Sequence, residues 1–128
     1  MNPVVHFEMP ANDTHRMSEF YLKVFGWKTK IMGEEMGNYI TVVTSTTDEN
    51  GRPTMPGVIN GGFYPNMEGE SAHPSVVIAV DDIKESISKI IESGGKMIGE
   101  PMTIPGIGEY VSFIDTEGNR VSILQPIM

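Results

Sequence analysis

The chain contains no cysteine, one tryptophan and three histidines in 128 residues. The first absence removes disulfides, thiolate nucleophiles and cysteine-based zinc sites together, so any metal would have to be held by histidine, carboxylate or water. Basic residues are also few: 9 Lys and Arg stand against 17 Asp and Glu, a net charge of −8. That balance repels phosphate backbones and anionic lipid, which argues against nucleic-acid and membrane partners. No apolar run reaches the roughly 18 residues of a membrane span. The first residues carry neither a basic leader nor a long apolar stretch, so the expected location is the cytoplasm. What is present is a 39% hydrophobic content, enough at this length for one real core. Ten methionines add flexible thioethers, suited to filling core gaps or to an adaptable cavity.

Two passages of the chain use the same device. Val4 to Met9 reads as a strand stopped by Pro10. Asn12 and Asp13 then offer a helix cap, Met17, Phe20, Tyr21, Val24 and Phe25 recur at helical spacing, and Gly26 ends the run. Later, Val76 to Val80 reads as a strand, Asp81 and Asp82 offer a cap, and Ile83, Ile87, Ile90 and Ile91 mark one helical face before Gly94 and Gly95. Asp13 and Asp82 stand 69 residues apart, as do Gly26 and Gly95, so the chain contains an internal repeat.

Short strands are predicted after each helix: Trp27 to Met32, Tyr39 to Thr44 and Gly57 to Phe63, then Lys96 to Glu100, Glu109 to Asp115 and Arg120 to Gln125. Turn residues separate them at Asn50 to Pro53, Pro105 to Gly106 and Glu117 to Asn119, and Tyr64 to Pro74 connects the halves. The pattern predicts an α+β chain of two β-α-β-β-β modules in a single domain over 1–128, module one about 1–65 and module two about 74–128. One helix covers only one face of a four-stranded sheet, so two open faces set together would line a hollow for a small molecule.

Strand alternation places Val5, Phe7 and Met9 on one face of the first strand and His6 and Glu8 on the other, the side of that hollow. A carboxylate beside an imidazole in a partly dry site suggests an acid/base pair or a polar anchor; hydrogen bonding to neighbouring strands or to a partner subunit is the structural alternative. Gly61 and Gly62 lie inside a strand-like stretch, where glycine permits close approach of a ligand or of another backbone. Trp27, Phe63, Met102 and Tyr110 are candidate apolar walls of the site. The polar run Ser45 to Asn50 reads as a solvated hairpin loop.

Phe20 and Tyr21 with Val24 to Trp27, then Val80 to Asp82, then Phe113 to Asn119, together resemble the vicinal oxygen chelate superfamily of glyoxalase I, bleomycin-resistance proteins and extradiol dioxygenases. The resemblance covers essentially the whole chain. It implies curved sheets around a cavity, a homodimer, and metal ligands on the first and last strands of each half. The matching positions fall on His6, Asn60, Ser75 and Ser122, which supply one good donor and three poor ones. The expectation is therefore a protein that binds a small organic molecule without the family metal, with Asn60, Ser75 and Ser122 as hydrogen-bonding contacts. Two enzyme readings stand beside it. One is a lyase, isomerase or dioxygenase dependent on a divalent metal; the other is metal-free acid/base chemistry in which Glu8 takes a proton and His6 positions or returns it.

Overall fold

A computed structural model of the chain describes residues 1–66 and 73–127. The chain divides into two compact units, His6–Pro74 and Ser75–Met128 together with Met1–Val5. The first five residues go with the second unit, where the Pro3 carbonyl accepts a hydrogen bond from the Ala79 N–H at 2.9 Å. Each unit is a β-α-β-β-β module. Residues 67–72 of the expected connection lie outside the described part of the chain. No helix among the described residues is long and apolar enough to cross a membrane.

Module one runs β1 (Val4–Ala11), α1 (Thr14–Phe25), β2 (Lys28–Ile31), β3 (Ile40–Val43) and β4 (Asn60–Pro65). Its strands lie in the order β2-β3-β4-β1, antiparallel except that β1 runs parallel to β4. Asp13 caps α1 by accepting from the Arg16 N–H at 2.9 Å, and Gly26 closes the helix in the left-handed conformation. Module two repeats the plan: β5 (Ser75–Ala79), α2 (Ile83–Glu92), β6 (Lys96–Ile104), β7 (Gly108–Ile114) and β8 (Arg120–Pro126), ordered β5-β8-β7-β6 with β5 parallel to β8. Asp82 caps α2 through the Glu85 N–H, and the Gln125 side chain takes the Ile83 N–H at 2.8 Å.

The repeat extends to the turns between the last two strands of each module. Asp48 accepts the N–H groups of Asn50 and Arg52, and Asp115 accepts those of Glu117 and Asn119, all at 2.9 to 3.0 Å. The glycine inside each turn, Gly51 or Gly118, has a positive φ of 78° or 87° that a side chain would oppose. The polar run Ser45 to Asn50 is thus the start of a built turn, its Asp equivalent to Asp115.

Three predicted strands have different bounds. β1 is not stopped by Pro10 but runs through it to Ala11, paired with β4 as far as Pro65. β4 begins at Asn60 because Gly57, at φ 85°, belongs to a turn. β6 continues past Glu100 to Ile104 because a register shift between Ile98 and Met102 absorbs Gly99 and Pro101 as a bulge. A 3-10 turn over Glu34–Met36, absent from the sequence-based expectation, links β2 to β3.

Each helix packs on one face of its own sheet. In module one Ile40, Val42 and Phe63 are buried, with Phe7, Met9, Met17, Tyr21 and Trp27 against them. In module two Val80, Ile83, Val111 and Ile123 are buried beneath Ile78, Ile87, Ile90, Met97 and Phe113. The opposite face of each sheet carries the polar residues singled out from the sequence.

Candidate functional site

On β1 the alternation holds: Phe7 and Met9 join the helix-side core, which leaves His6 and Glu8 on the open face of module one. Parallel pairing sets His6 beside Asn60 and Glu8 beside Gly62. Glu8 is only 6% exposed. The His6 ring is largely buried, and burial, which disfavours the charged imidazolium, brings its pKa from 6.5 down to about 4.

Tyr39, unmarked in the sequence, completes this face. Its hydroxyl pairs with His6 Nε2 at 3.0 Å, the tautomer deciding which group donates. To reach His6 the phenol lies over Gly62, where a Cβ would coincide with the hydroxyl and ring of Tyr39. Gly61 serves the other face in the same way, since a Cβ there would run into the ring of Phe7. The glycine pair was expected to admit a ligand or a backbone; what it admits is one aromatic ring on each side of β4. A tyrosine opening a strand that pairs with a Gly-Gly strand is the signal that could have pointed to this packing.

Asn60 acts as a tie between strands. Its side-chain oxygen accepts from the Thr44 N–H at 2.9 Å and lies 3.4 Å from the Thr44 hydroxyl, which itself donates to the Ile59 carbonyl at 2.6 Å. On the open face of module two, the Ser122 hydroxyl lies 2.8 Å from both the Tyr110 and Ser112 hydroxyls, and Ser112 donates to Tyr110 at 3.3 Å. Three hydroxyls in a triangle can donate in turn around the ring, so every proton finds an acceptor. Ser122 is 0% exposed, which makes its hydroxyl a buried member of that ring; Ser112 was missed in the sequence reading. Ser75 is also buried, whereas Met102, opposite Tyr110 in register, is 57% exposed.

Two expected wall residues belong elsewhere. Phe63 is fully buried in the helix-side core of module one, with its ring 5.6 Å from that of Tyr21. Trp27 stacks on Tyr21 at 4.6 Å and 11° within the same cluster. The reason is strand parity: with Asn60 on the open face, Phe63, three residues on, must face the helix.

The donors at the positions implied for a metal do not fit a divalent ion. His6 Nε2 is spent on Tyr39, the Asn60 oxygen on Thr44, and the Ser122 hydroxyl on Tyr110 and Ser112. A neutral amide and a hydroxyl, each already hydrogen-bonded to a neighbour, are weak ligands for such an ion. Among the described residues no three His, Asp or Glu side chains gather at a metal-binding distance.

The depressed His6 pKa is also a statement about stability. The folded chain holds His6 neutral down to about pH 4 while the unfolded chain protonates it near 6.5, so stability is complete above about pH 6.5 and is lost as pH falls toward 4. Allowing for its residual exposure, the loss amounts to about 2–3 kcal/mol. Urea unfolding at pH 7 and pH 4 should give that difference for the natural chain relative to His6→Gln. An identical pH dependence in the two proteins would contradict the burial of the ring.

The sequence profile of the Glyoxalase/Bleomycin resistance protein/Dioxygenase superfamily matches residues 4–123. A glyoxylase-like domain-containing protein of Didymella fabae is 30% identical over 120 residues, which is 91% of this chain and 88% of that protein. The candidate glyoxylase CFP32 of Mycobacterium tuberculosis is 35% identical over 68 residues, 53% of this chain, and the match spans only 26% of that relative's length. Among solved structures, methylmalonyl-CoA epimerase of Streptomyces coelicolor shares the fold at a TM-score of 0.67 and 15% identity, over 98% of this chain and 95% of that one. A hypothetical protein of Bacillus halodurans shares it at 0.69 and 15%, over 99% and 96%. With two modules of one plan and a profile that spans nearly its full length, the chain belongs to the Glyoxalase/Bleomycin resistance protein/Dioxygenase superfamily.

Proposed function

We propose that this chain binds a small organic molecule on the open face of module one, through Glu8, His6 and Tyr39, and does so without a divalent ion. The observation that carries this reading is the hydrogen bond between His6 and Tyr39 laid over Gly62 on the face that also buries Glu8. Burying a carboxylate and an imidazole on one sheet face is costly, and an apolar filling would stabilise the module more simply. Polar groups gathered at that cost are a mark of a binding face.

The test is a screen of small ketones, carboxylic acids and phenols against the isotope-labelled chain in the presence of EDTA. Binding should shift the amide resonances around His6, Glu8, Tyr39 and Gly62. Shifts confined to other segments, or present only when a divalent ion is added back, would refute the proposal.

A second reading, favoured by the burial of Glu8, is proton transfer at the bound molecule with Glu8 as the base. With a pKa of about 4 His6 is neutral near pH 7, so it suits a positioning role and is a poor source of a returning proton. The relatives' names point to glyoxylase chemistry, and in this chain such a reaction would have to run on Glu8 and Tyr39.

A further inference from the structure

We infer that the ligand of this face is an elongated organic anion lying across the strands of module one, its anionic group against Lys28 and Lys30 and its neutral end toward Glu8 and His6. This deepens the reading of the open face of module one as the binding site, and rests on it. Strand pairing lines up one row of that face. Glu8 on β1 stands opposite Gly62 on β4, Gly62 opposite Thr41 on β3, and Thr41 opposite Lys30 on the edge strand β2. Lys28, two residues before Lys30, shares its side, because Thr29 and Ile31 between and beyond them pair with Val42 and Ile40 of the helix-side core. Three strand spacings set the ends of the row about 14 Å apart.

The row is polarised. The four strands of module one contain two lysines and no arginine, and both lysines stand on this face. Both are exposed, and neither ammonium has an ion pair among the described residues, in a chain whose net charge is −8. Lys89 of module two, by contrast, is paired with Glu85 at 3.1 Å. At the other end of the row Glu8 is buried and His6 is neutral near pH 7, so neither supplies a positive charge to an incoming anion.

Between the two ends the Tyr39 ring lies over Gly62, an aromatic surface against which a hydrocarbon stem can pack. The flexible lysine stems can lean in over Thr41, which shortens the span that a ligand has to cover. A neutral head, an apolar middle and an anionic tail define the ligand class: a linear carboxylic acid with a carbonyl group at its far end.

Three probes titrated into the isotope-labelled chain at low salt, with EDTA present, test this. They are methyl hexyl ketone, the same ketone carrying a carboxylate at the far end of its chain, and levulinate, whose carbonyl and carboxylate lie too close together to span the row. The far carboxylate should tighten binding about fivefold over the plain ketone, with the amide resonances of Glu8 and Lys30 shifting together. That gain should vanish in the double variant Lys28→Gln, Lys30→Gln. It should persist in Arg16→Gln, Lys23→Gln, which removes the same charge from α1 on the other side of the sheet. All four side chains are exposed, so both variants should keep the urea midpoint of the natural chain. No gain, a gain that survives the β2 substitutions, one that falls equally with the α1 substitutions, or one that levulinate shows in full overturns the inference and leaves the face as a site. No shift at His6, Glu8 or Gly62 with any of the three probes sinks the underlying reading and the inference with it.

Discussion

Phe63→Ala should destabilise module one by about 3–5 kcal/mol, a large share of the roughly 5–15 kcal/mol that holds a domain of this kind folded. Phe63 is 0% exposed and sits on β4, between β3 and β1, opposite Ile40 on one side and Met9 on the other. Its neighbours come from two other strands, β1 and β3, and from α1, through Tyr21. Truncation would leave a cavity that a sheet pinned on both sides cannot close, so the cavity penalty adds to the lost burial. Trp27, the single tryptophan, stacks on Tyr21 inside the same cluster, which makes its fluorescence a direct reporter of module one in urea. A loss below about 1 kcal/mol would mean that Phe63 is not the core residue described here.

Glu8→Gln should slow proton exchange at a bound ligand by about 10²–10⁴-fold, the range that a positioned base contributes. Glutamine keeps the shape and hydrogen-bonding capacity of the side chain and removes its basicity. Affinity should therefore change little while exchange collapses. The natural experiment is deuterium uptake at an acidic C–H of a bound ketone in heavy water, followed by NMR. On that reading His6, neutral near pH 7, is a poor proton source, so Glu8 would both take and return the proton, and His6→Gln should act mainly through the position of Tyr39. Exchange that survives Glu8→Gln would remove the catalytic reading and leave the binding reading intact.

Much of the fold could be read in the sequence because its signals are local. Capping aspartates, closing glycines and helical spacing depend on a few consecutive residues, and their recurrence after 69 residues exposed the duplication. The division of β1 into Phe7 and Met9 on one face and His6 and Glu8 on the other needed only period-two alternation. The same rule sends Phe63 to the helix side once β4 begins at Asn60; a strand drawn from Gly57 leaves that parity open, because the turn at Gly57 breaks the alternation. Tyr39 was hidden for a different reason. It lies 33 residues from His6, and only the pairing of β1, β4 and β3 brings the two together. The hydroxyl ring depends likewise on the pairing of β7 with β8, which sets Ser112 opposite Ser122. Long-range register, not residue type, decided which polar side chains meet.

The central claim is that the polar face of module one serves an organic ligand in place of an ion. Elemental analysis combined with native mass spectrometry of the purified chain addresses it most directly. The account predicts no stoichiometric nickel, zinc or iron, together with an organic adduct that survives chelation and is lost in Tyr39→Phe. One firmly held ion per chain, removed by His6→Gln, would contradict it.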